Sequence, residues 1–250
     1  MCVSRPETSY AHRPALPAGE VHIWSVRLDQ NPLTVARLEA ALSSDERQRG
    51  ARFCFERDRR RYVVARGVLR CLLGALLDDE PERIEFQYGS RGKPELAGCH
   101  AGALFFNVSH SHELGLLGFA RSWPIGLDVE HKRAIPDIEM LARSVLAVPE
   151  YEAYVSLPAA DRVTALLRAW TRKEAVMKAL GEGLHWLPRS IVVPISEAHH
   201  AAFHAVTEDG SDVADYWLRD VSITPDYLAA VAVRARYWHL VSHEWTCGSG

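Results

Sequence analysis

Apolar and polar positions alternate or recur at helical spacing along most of the chain, and this pattern predicts its elements. Val21–Leu28 (VHIWSVRL) alternates and predicts a strand. Pro32 opens a helix through Leu42, proline being favoured in a first turn. Ser43 followed by Glu46 is a capping box for a second helix, which carries Arg47, Arg49 and Arg52. A long helix follows over about Asp58–Leu77, where Val63, Val64, Val68, Leu69, Leu72, Leu73 and Leu76 lie beside five arginines, with Arg57 just before it. Ile84–Tyr88, Leu104–Val108, Leu114–Ala120 and Ile125–Glu130 predict strands, with turns at Gly89–Pro94 and Arg121–Pro124. Pro136–Leu146 and Pro149–Ser156 predict short helices, and Val163–Leu180 a long one that stops at Gly181. Ile191–Ile195, Ala202–Val206, Ala214–Leu218 and Tyr227–Ala235 predict further strands, with a hairpin turn at Glu208–Asp212.

Strands plus one long helix thus occur twice, around 58–77 and about 160–180. The expected fold class is α+β, with two similar halves that each combine a small antiparallel sheet and a long helix. The expected division is a disordered arm over 1–20, halves over 21–122 and 123–240, and a tail over 241–250. Composition agrees: 250 residues suit two small domains, and 48% hydrophobic residues can fill two cores. A net charge of −3 gives no basic field for nucleic acid. No apolar run approaches the roughly 18 residues of a membrane span, and the first residues lack the apolar core of a signal peptide. The five scattered cysteines form no CxxC pair, which predicts reduced thiols and a cytoplasmic protein.

Two stretches carry candidate chemistry. On the long helix, Trp170, Lys173, Glu174, Met177 and Lys178 share one side at three- and four-residue spacing. On the strand Ile125–Glu130, Asp128 and Glu130 point the same way. Paired carboxylates repel unless a proton or cation lies between them, and hard oxygen donors suit magnesium with phosphate oxygens as further ligands. Arginines are concentrated between 47 and 70 in an acidic chain, which predicts an anion site. The turn Gly89-Ser90-Arg91-Gly92-Lys93-Pro94 exposes backbone donors but lacks the Walker spacing. His110 with His112, and His200 with His204, have spacings that zinc uses, but no cysteine or third histidine completes either pair. No Gly-x-Ser-x-Gly elbow is present, so a serine hydrolase is not expected.

Taken in order, the arginine-rich helices, Gly92-Lys93-Pro94, Phe106–Ser111 (FNVSHS), Gly126–Glu130 (GLDVE) and Trp170–Lys178 (WTRKEAVMK) resemble the Sfp-type 4'-phosphopantetheinyl transferases. The resemblance covers roughly Val21–Ala235. It implies a pseudo-dimer of two α+β halves with coenzyme A in the cleft between them. It also implies transfer of the phosphopantetheine arm of coenzyme A to a serine of an apo acyl or peptidyl carrier protein, releasing adenosine bisphosphate. Asp128, Glu130 and Glu174 would hold Mg²⁺, and Lys173 and Lys178 would neutralise phosphates. Ser109 and His110 would meet the ribose-bound phosphate. Arg49, Arg61 and Lys93, the last beside Pro94, match positions that contact the nucleotide, and Arg52 lies close by. Glu46 stands where some relatives have a lysine. Lys-Glu-Ala, rather than Lys-Glu-Ser, points to a subgroup with varied carrier partners. Glu174, Lys178 and Asp128 are the expected catalytic residues. Fatty-acid, polyketide and nonribosomal-peptide carriers all remain open as partners. Both halves lie in one chain, so a monomer is expected. Two alternatives are a non-catalytic module that binds coenzyme A or a carrier, and a Mg²⁺-dependent phosphohydrolase.

Overall fold

The computed structural model describes residues 15–89, 92–181, 188–197, 203–204, 206–207 and 216–247. The expected hairpin turn at Glu208–Asp212, His200, Ser90 and Arg91 lie outside the described residues, as do the first part of the expected arm (1–14) and the last three residues. The elements in order are β1 (Glu20–Arg27), α1 (Pro32–Ala40), α2 (Ser44–Gly50), α3 (Glu56–Leu77), β2 (Phe86–Tyr88), β3 (Pro94–Leu96), β4 (Phe105–Ser111), β5 (Leu114–Ala120) and β6 (Ile125–His131). They continue with α4 (Ile138–Val145), α5 (Val148–Val155), α6 (Ala159–Leu180), β7 (Ile191–Val192), β8 (Phe203–His204), β9 (Val206–Thr207), β10 (Trp217–Asp220), β11 (Tyr227–Val233) and β12 (His239–Glu244).

Local chemistry starts and stops the helices. Asn31 Oδ1 accepts the Thr34 amide at 2.9 Å and caps α1. The Ser43–Glu46 capping box forms at α2, with Ser43 N donating to Glu46 Oε2 at 3.0 Å and Glu46 N donating to Ser43 Oγ at 3.3 Å. Gly181, at φ 73°, ends α6 in the left-handed region where a side chain is strained.

The two halves repeat one topology. In the first, β1 pairs antiparallel with β5, which pairs with β4, and α3 lies between β1 and β4 in sequence. In the second, β6 pairs antiparallel with β11, which pairs with β10, and α6 lies between β6 and β10. Alternate residues of each strand face opposite layers. Trp24, Val26, Leu117 and Phe119 face α3, while Val21, Ile23, Leu114 and Leu116 face the second sheet. Across that inner layer they meet Ile125, Leu127, Val129, Val231 and Val233. Ala230 and Ala232 face the other way, onto α6. The molecule is therefore four layers, α3 and α6 outside and the two sheets inside.

Three expectations change. Residues 239–244, placed partly in a tail, form β12, which pairs parallel with β1 as the edge of the first sheet. Trp245 follows it into the first core, so the C-terminal segment crosses back to the first half. Leu16, assigned to the arm, is buried in that same core. The single strand expected over Ala202–Val206 is two short ones, β8 on β10 and β9 on β7. Among the described residues no helix is long and apolar enough to cross a membrane.

Candidate active site between the halves

The strands β4 and β6 are edges of their respective sheets, and they run together at the boundary of the halves. No backbone ladder joins them; side chains of β4 do. Asn107 Oδ1 accepts the Leu127 amide at 2.9 Å. Ser109 Oγ donates to Asp128 Oδ1 at 2.9 Å. Ser111 Oγ donates to Glu130 Oε2 and accepts the His131 amide, both at 3.0 Å. The period-two polar residues of Phe106–Ser111 are thus the seam between the halves, and the strand extends through Ser111 rather than ending at Val108.

The helix α6 crosses this seam because of Gly126. A Cβ at that position would overlap the Ala175 carbonyl and the Ala179 amide, so only glycine lets α6 lie this close to β6. Gly126, Asp128 and Glu130 share the face of β6 turned to α6, since Asp128 pairs with Ala230 of the α6-facing row. Close approach brings Lys178 onto Asp128. Its Nζ donates to Asp128 Oδ1 at 2.7 Å, to Ser109 Oγ at 3.1 Å and to the Leu127 carbonyl at 3.2 Å.

Asp128 is buried, and its second oxygen, Oδ2, has no hydrogen-bond partner. Burial pushes the Asp128 carboxyl up, against the pull of Lys178 and Ser109. Glu174 is half-buried on the same helix face. Burial pushes its carboxyl up as well; Lys178 opposes this, while Asp128 and Glu130 add to it. Glu130 is held by Ser111 and by Arg133, whose Nη1 lies 3.3 Å from it. The carboxylate oxygens of Asp128, Glu130 and Glu174 do not gather as a set within 4.8 Å of one another. A cleft of about 280 Å³ opens beside them, lined by Lys93, Pro94, Asn107, Glu174, Met177 and Lys178 among others.

Lys93 lines this cleft, but its ammonium is committed. It donates to the Lys178 carbonyl at 2.5 Å and to the Ile125 carbonyl at 3.3 Å. It thereby fastens the Gly92-Lys93-Pro94 turn to the C-terminal turn of α6, where a cation is favoured. Burial pulls its pKa down; Glu95 opposes this and Lys178 reinforces it.

Lys173 lies elsewhere. It is fully buried, and its Nζ donates to Glu150 Oε2 at 2.5 Å and to the Val145 and Pro188 carbonyls at 2.9 Å. Glu150 also accepts the Ala147 amide at 2.7 Å and the Val193 amide at 2.6 Å. This ion pair fastens α6 to α5 and to the segment before β7, and it gives phosphate no access to the ammonium. Ser109 and His110 also part company, as neighbours in a strand must. Ser109 turns into the seam, while His110 is exposed.

The arginine-rich stretch sorts in the same way. Arg66 and Arg70 both donate to the buried Glu46, so these two hold α2 on α3. Glu46 is therefore a structural anchor, and its carboxyl is held below the usual range by Arg66, Ser43 and Arg70 despite burial. Arg61 forks onto Asp29 with two bonds of 2.8 Å and donates to the His112 carbonyl at 2.7 Å. Arg59 pairs with Glu39 and Glu56, and Arg60 donates to the Gln30 carbonyl. Arg49 and Arg52 are exposed, and among the described residues neither side chain has an ion pair or hydrogen bond.

Comparison with known proteins fits this two-part layout. The family model of the 4'-phosphopantetheinyl transferase superfamily matches residues 124–232, and a 4'-phosphopantetheinyl transferase N-terminal model matches residues 31–119. The chain is 38% identical to the 4'-phosphopantetheinyl transferase HetI of Nostoc sp., over 88% of this chain and 92% of that protein. It is 25% identical to the 4'-phosphopantetheinyl transferase of Bacillus subtilis, over 72% of this chain and 79% of that one. It is also 25% identical to the L-aminoadipate-semialdehyde dehydrogenase-phosphopantetheinyl transferase of Mus musculus, over 78% of this chain and 67% of that one.

Proposed function

The chain belongs to the Sfp-type 4'-phosphopantetheinyl transferases, and from that premise we propose that the cleft along the β4–β6 seam transfers phosphopantetheine from coenzyme A to carrier proteins with Mg²⁺. The observation that carries the reading is the cluster of Lys178, Asp128, Ser109 and Glu174 at the seam, with one Asp128 oxygen left without a partner. A buried carboxylate oxygen without a donor is costly unless a ligand satisfies it. Asp128, Glu130 and Glu174 supply oxygen donors of the kind Mg²⁺ takes, and since the three are not gathered within 4.8 Å of one another, the ion would reach part of the set through the waters it keeps. When bound, the ion would neutralise the charge that develops on the pyrophosphate.

The protein's own groups account for the rest. Lys178 sits beside the carboxylates at the cleft, where it can pair with a phosphate oxygen. Of the three carboxylates only Glu174 lines the cleft, so it is the acceptor positioned for the hydroxyl proton of the carrier serine. The serine oxygen forms a bond to the β-phosphorus, the pyrophosphate P–O bond breaks, and adenosine 3',5'-bisphosphate leaves with the electron pair. The exposed Arg49, Arg52 and His110 are offered as nucleotide contacts. Arg61 is offered as one that must share its guanidinium with Asp29. The carriers would be those of fatty-acid, polyketide or nonribosomal-peptide synthases, acted on by a cytoplasmic monomer.

The test mixes the protein with an apo carrier, coenzyme A and Mg²⁺ and weighs the carrier by mass spectrometry. A covalent gain of one phosphopantetheine, absent with chelator, is expected. Asp128→Ala and Glu174→Ala should each slow transfer by about 10²–10³-fold, the loss typical of one positioned electrostatic group. Near-full transfer by either variant at saturating Mg²⁺ would overturn the assignment.

A further inference from the structure

A second group of donor side chains lies outside the cleft. Asp79 follows the end of α3, and Cys99 and His100 belong to the single helical turn Gly98–His100 that precedes β4. Their carboxylate, thiol and imidazole ligand atoms all lie within 4.8 Å of one another. His100 Nε2 is 2.8 Å from Asp79 Oδ2. The other Asp79 oxygen, Oδ1, accepts the Glu80 amide at 2.8 Å, which fixes the carboxylate with Oδ2 towards the other two groups. The turn itself is held in place. Gly98 has φ 58°, and a Cβ there would lie 2.7 Å from Glu85 Oε2. Ala97 N donates to the Glu85 carbonyl at 2.9 Å. Cys99 is exposed, so an ion in solution can reach the group.

We propose that Asp79, Cys99 and His100 form a site for a thiophilic divalent cation of the zinc class, tying the end of α3 to the turn that leads into β4. The donor set decides the metal. Thiolate and imidazole favour zinc or cobalt, whereas magnesium prefers oxygen donors alone. Three protein ligands with a water in the fourth position is an established tetrahedral arrangement for zinc. Binding takes the proton from the Cys99 thiol and releases it to solvent, so the sulfur coordinates as thiolate. The site is chemically distinct from the acidic cleft, whose candidate metal donors, Asp128, Glu130 and Glu174, are all carboxylates. It also differs from the histidine pairs that the sequence offers, since its ligands come from two segments twenty residues apart. Its claim does not depend on the transferase reading.

The test uses the full chain, reduced with a non-chelating phosphine and freed of metal, titrated with Co²⁺ and then Zn²⁺. One equivalent of Co²⁺ should give near-ultraviolet thiolate-to-metal charge-transfer absorption, which Zn²⁺ abolishes and excess Mg²⁺ leaves unchanged. Cys99→Ser should lose that absorption. His100→Gln and Asp79→Asn each remove a direct ligand, so affinity should fall by more than the roughly 10–100-fold that losing an outer partner costs. Cys54→Ser, which removes another exposed thiol, should behave as the parent. Circular dichroism of each variant checks folding. Absence of the thiolate band in the parent protein, or its survival in Cys99→Ser, would overturn the proposal.

Discussion

Replacing Lys173 with methionine separates two roles for a lysine that the family resemblance assigns to phosphate. The geometry makes the residue a structural one. Its ammonium donates to Glu150 Oε2 at 2.5 Å and to two carbonyls at 2.9 Å. Methionine keeps most of the volume and removes the charge. Glu150 would then stay buried with two amide donors, from Ala147 and Val193, and no counter-charge. Breaking a buried pair from one side costs about 3–5 kcal/mol, because the remaining charge is uncompensated. For a domain of this size each kcal/mol moves Tm by about 2–4 °C, so a fall of about 6–20 °C is expected. The assay is thermal unfolding followed by circular dichroism at neutral pH, without coenzyme A. The double variant Lys173→Met with Glu150→Leu should recover part of the loss, since it leaves no unpaired charge. Below the melting range, the single variant should keep its KM for coenzyme A. An unchanged Tm together with a large rise in that KM would refute the structural assignment and return Lys173 to the phosphates.

Three further outcomes follow from the packing. Gly126→Ala should push α6 away from β6, lowering stability by at least the 1–3 kcal/mol typical of overpacking and reducing transfer through displaced Lys178 and Glu174; a urea melt coinciding with that of the parent protein would contradict it. Glu46→Gln should be less stable than the parent at neutral pH, because Glu46 is held ionised by Arg66 and Arg70. Its folded pKa lies below the ordinary 4.5, so its contribution is present above that value and is lost as pH falls through the lowered one. The gap between the two proteins should therefore close in acid, and urea titrations from neutral pH downwards will read it. Arg49→Ala and Arg52→Ala should leave stability within about 0.5 kcal/mol, as for surface residues without partners, while raising KM for coenzyme A in a salt-dependent way.

Features decided within one element were legible in the sequence. The capping box at Ser43, the proline opening α1 and the glycine ending α6 act over a single turn, and each appears where the pattern places it. Strand alternation placed Asp128 and Glu130 on one face, and that face does look onto α6. What stayed hidden depends on partners distant in sequence. The strand β12 has four polar residues in six, and its reason to be a strand is the free edge of β1, more than two hundred residues earlier. Glu46 gave no sign in the sequence that it would bind two arginines of the next helix. The donor group of Asp79, Cys99 and His100 is equally non-local, with a carboxylate at a helix end and two ligands in a separate turn.

The division of labour on α6 has a geometric origin. Three- and four-residue steps link Trp170 to Lys173 and Met177 on one path and to Glu174 and Lys178 on another. Each step stays within reach of the last, so all five residues read as one face. The end members diverge, however. Five positions of a helix with 3.6 residues per turn amount to about 500°, which sets Lys173 and Lys178 roughly 140° apart. One ammonium must then face α5 and the other the seam, as the two sets of acceptors record. Glu174 and Lys178 differ by only about 40° and remain together over β6. Which of the two lysines serves the seam is set by Gly126, because the point of closest approach lies at Ala175 and Ala179. Lys178 flanks that point on the side of Asp128, so its ammonium reaches the carboxylate. Lys173 sits before it and faces the helix that covers the other side. The glycine of the Gly-x-Asp-x-Glu segment and the second lysine of the helix thus form one device, and the first lysine belongs to the scaffold that holds it.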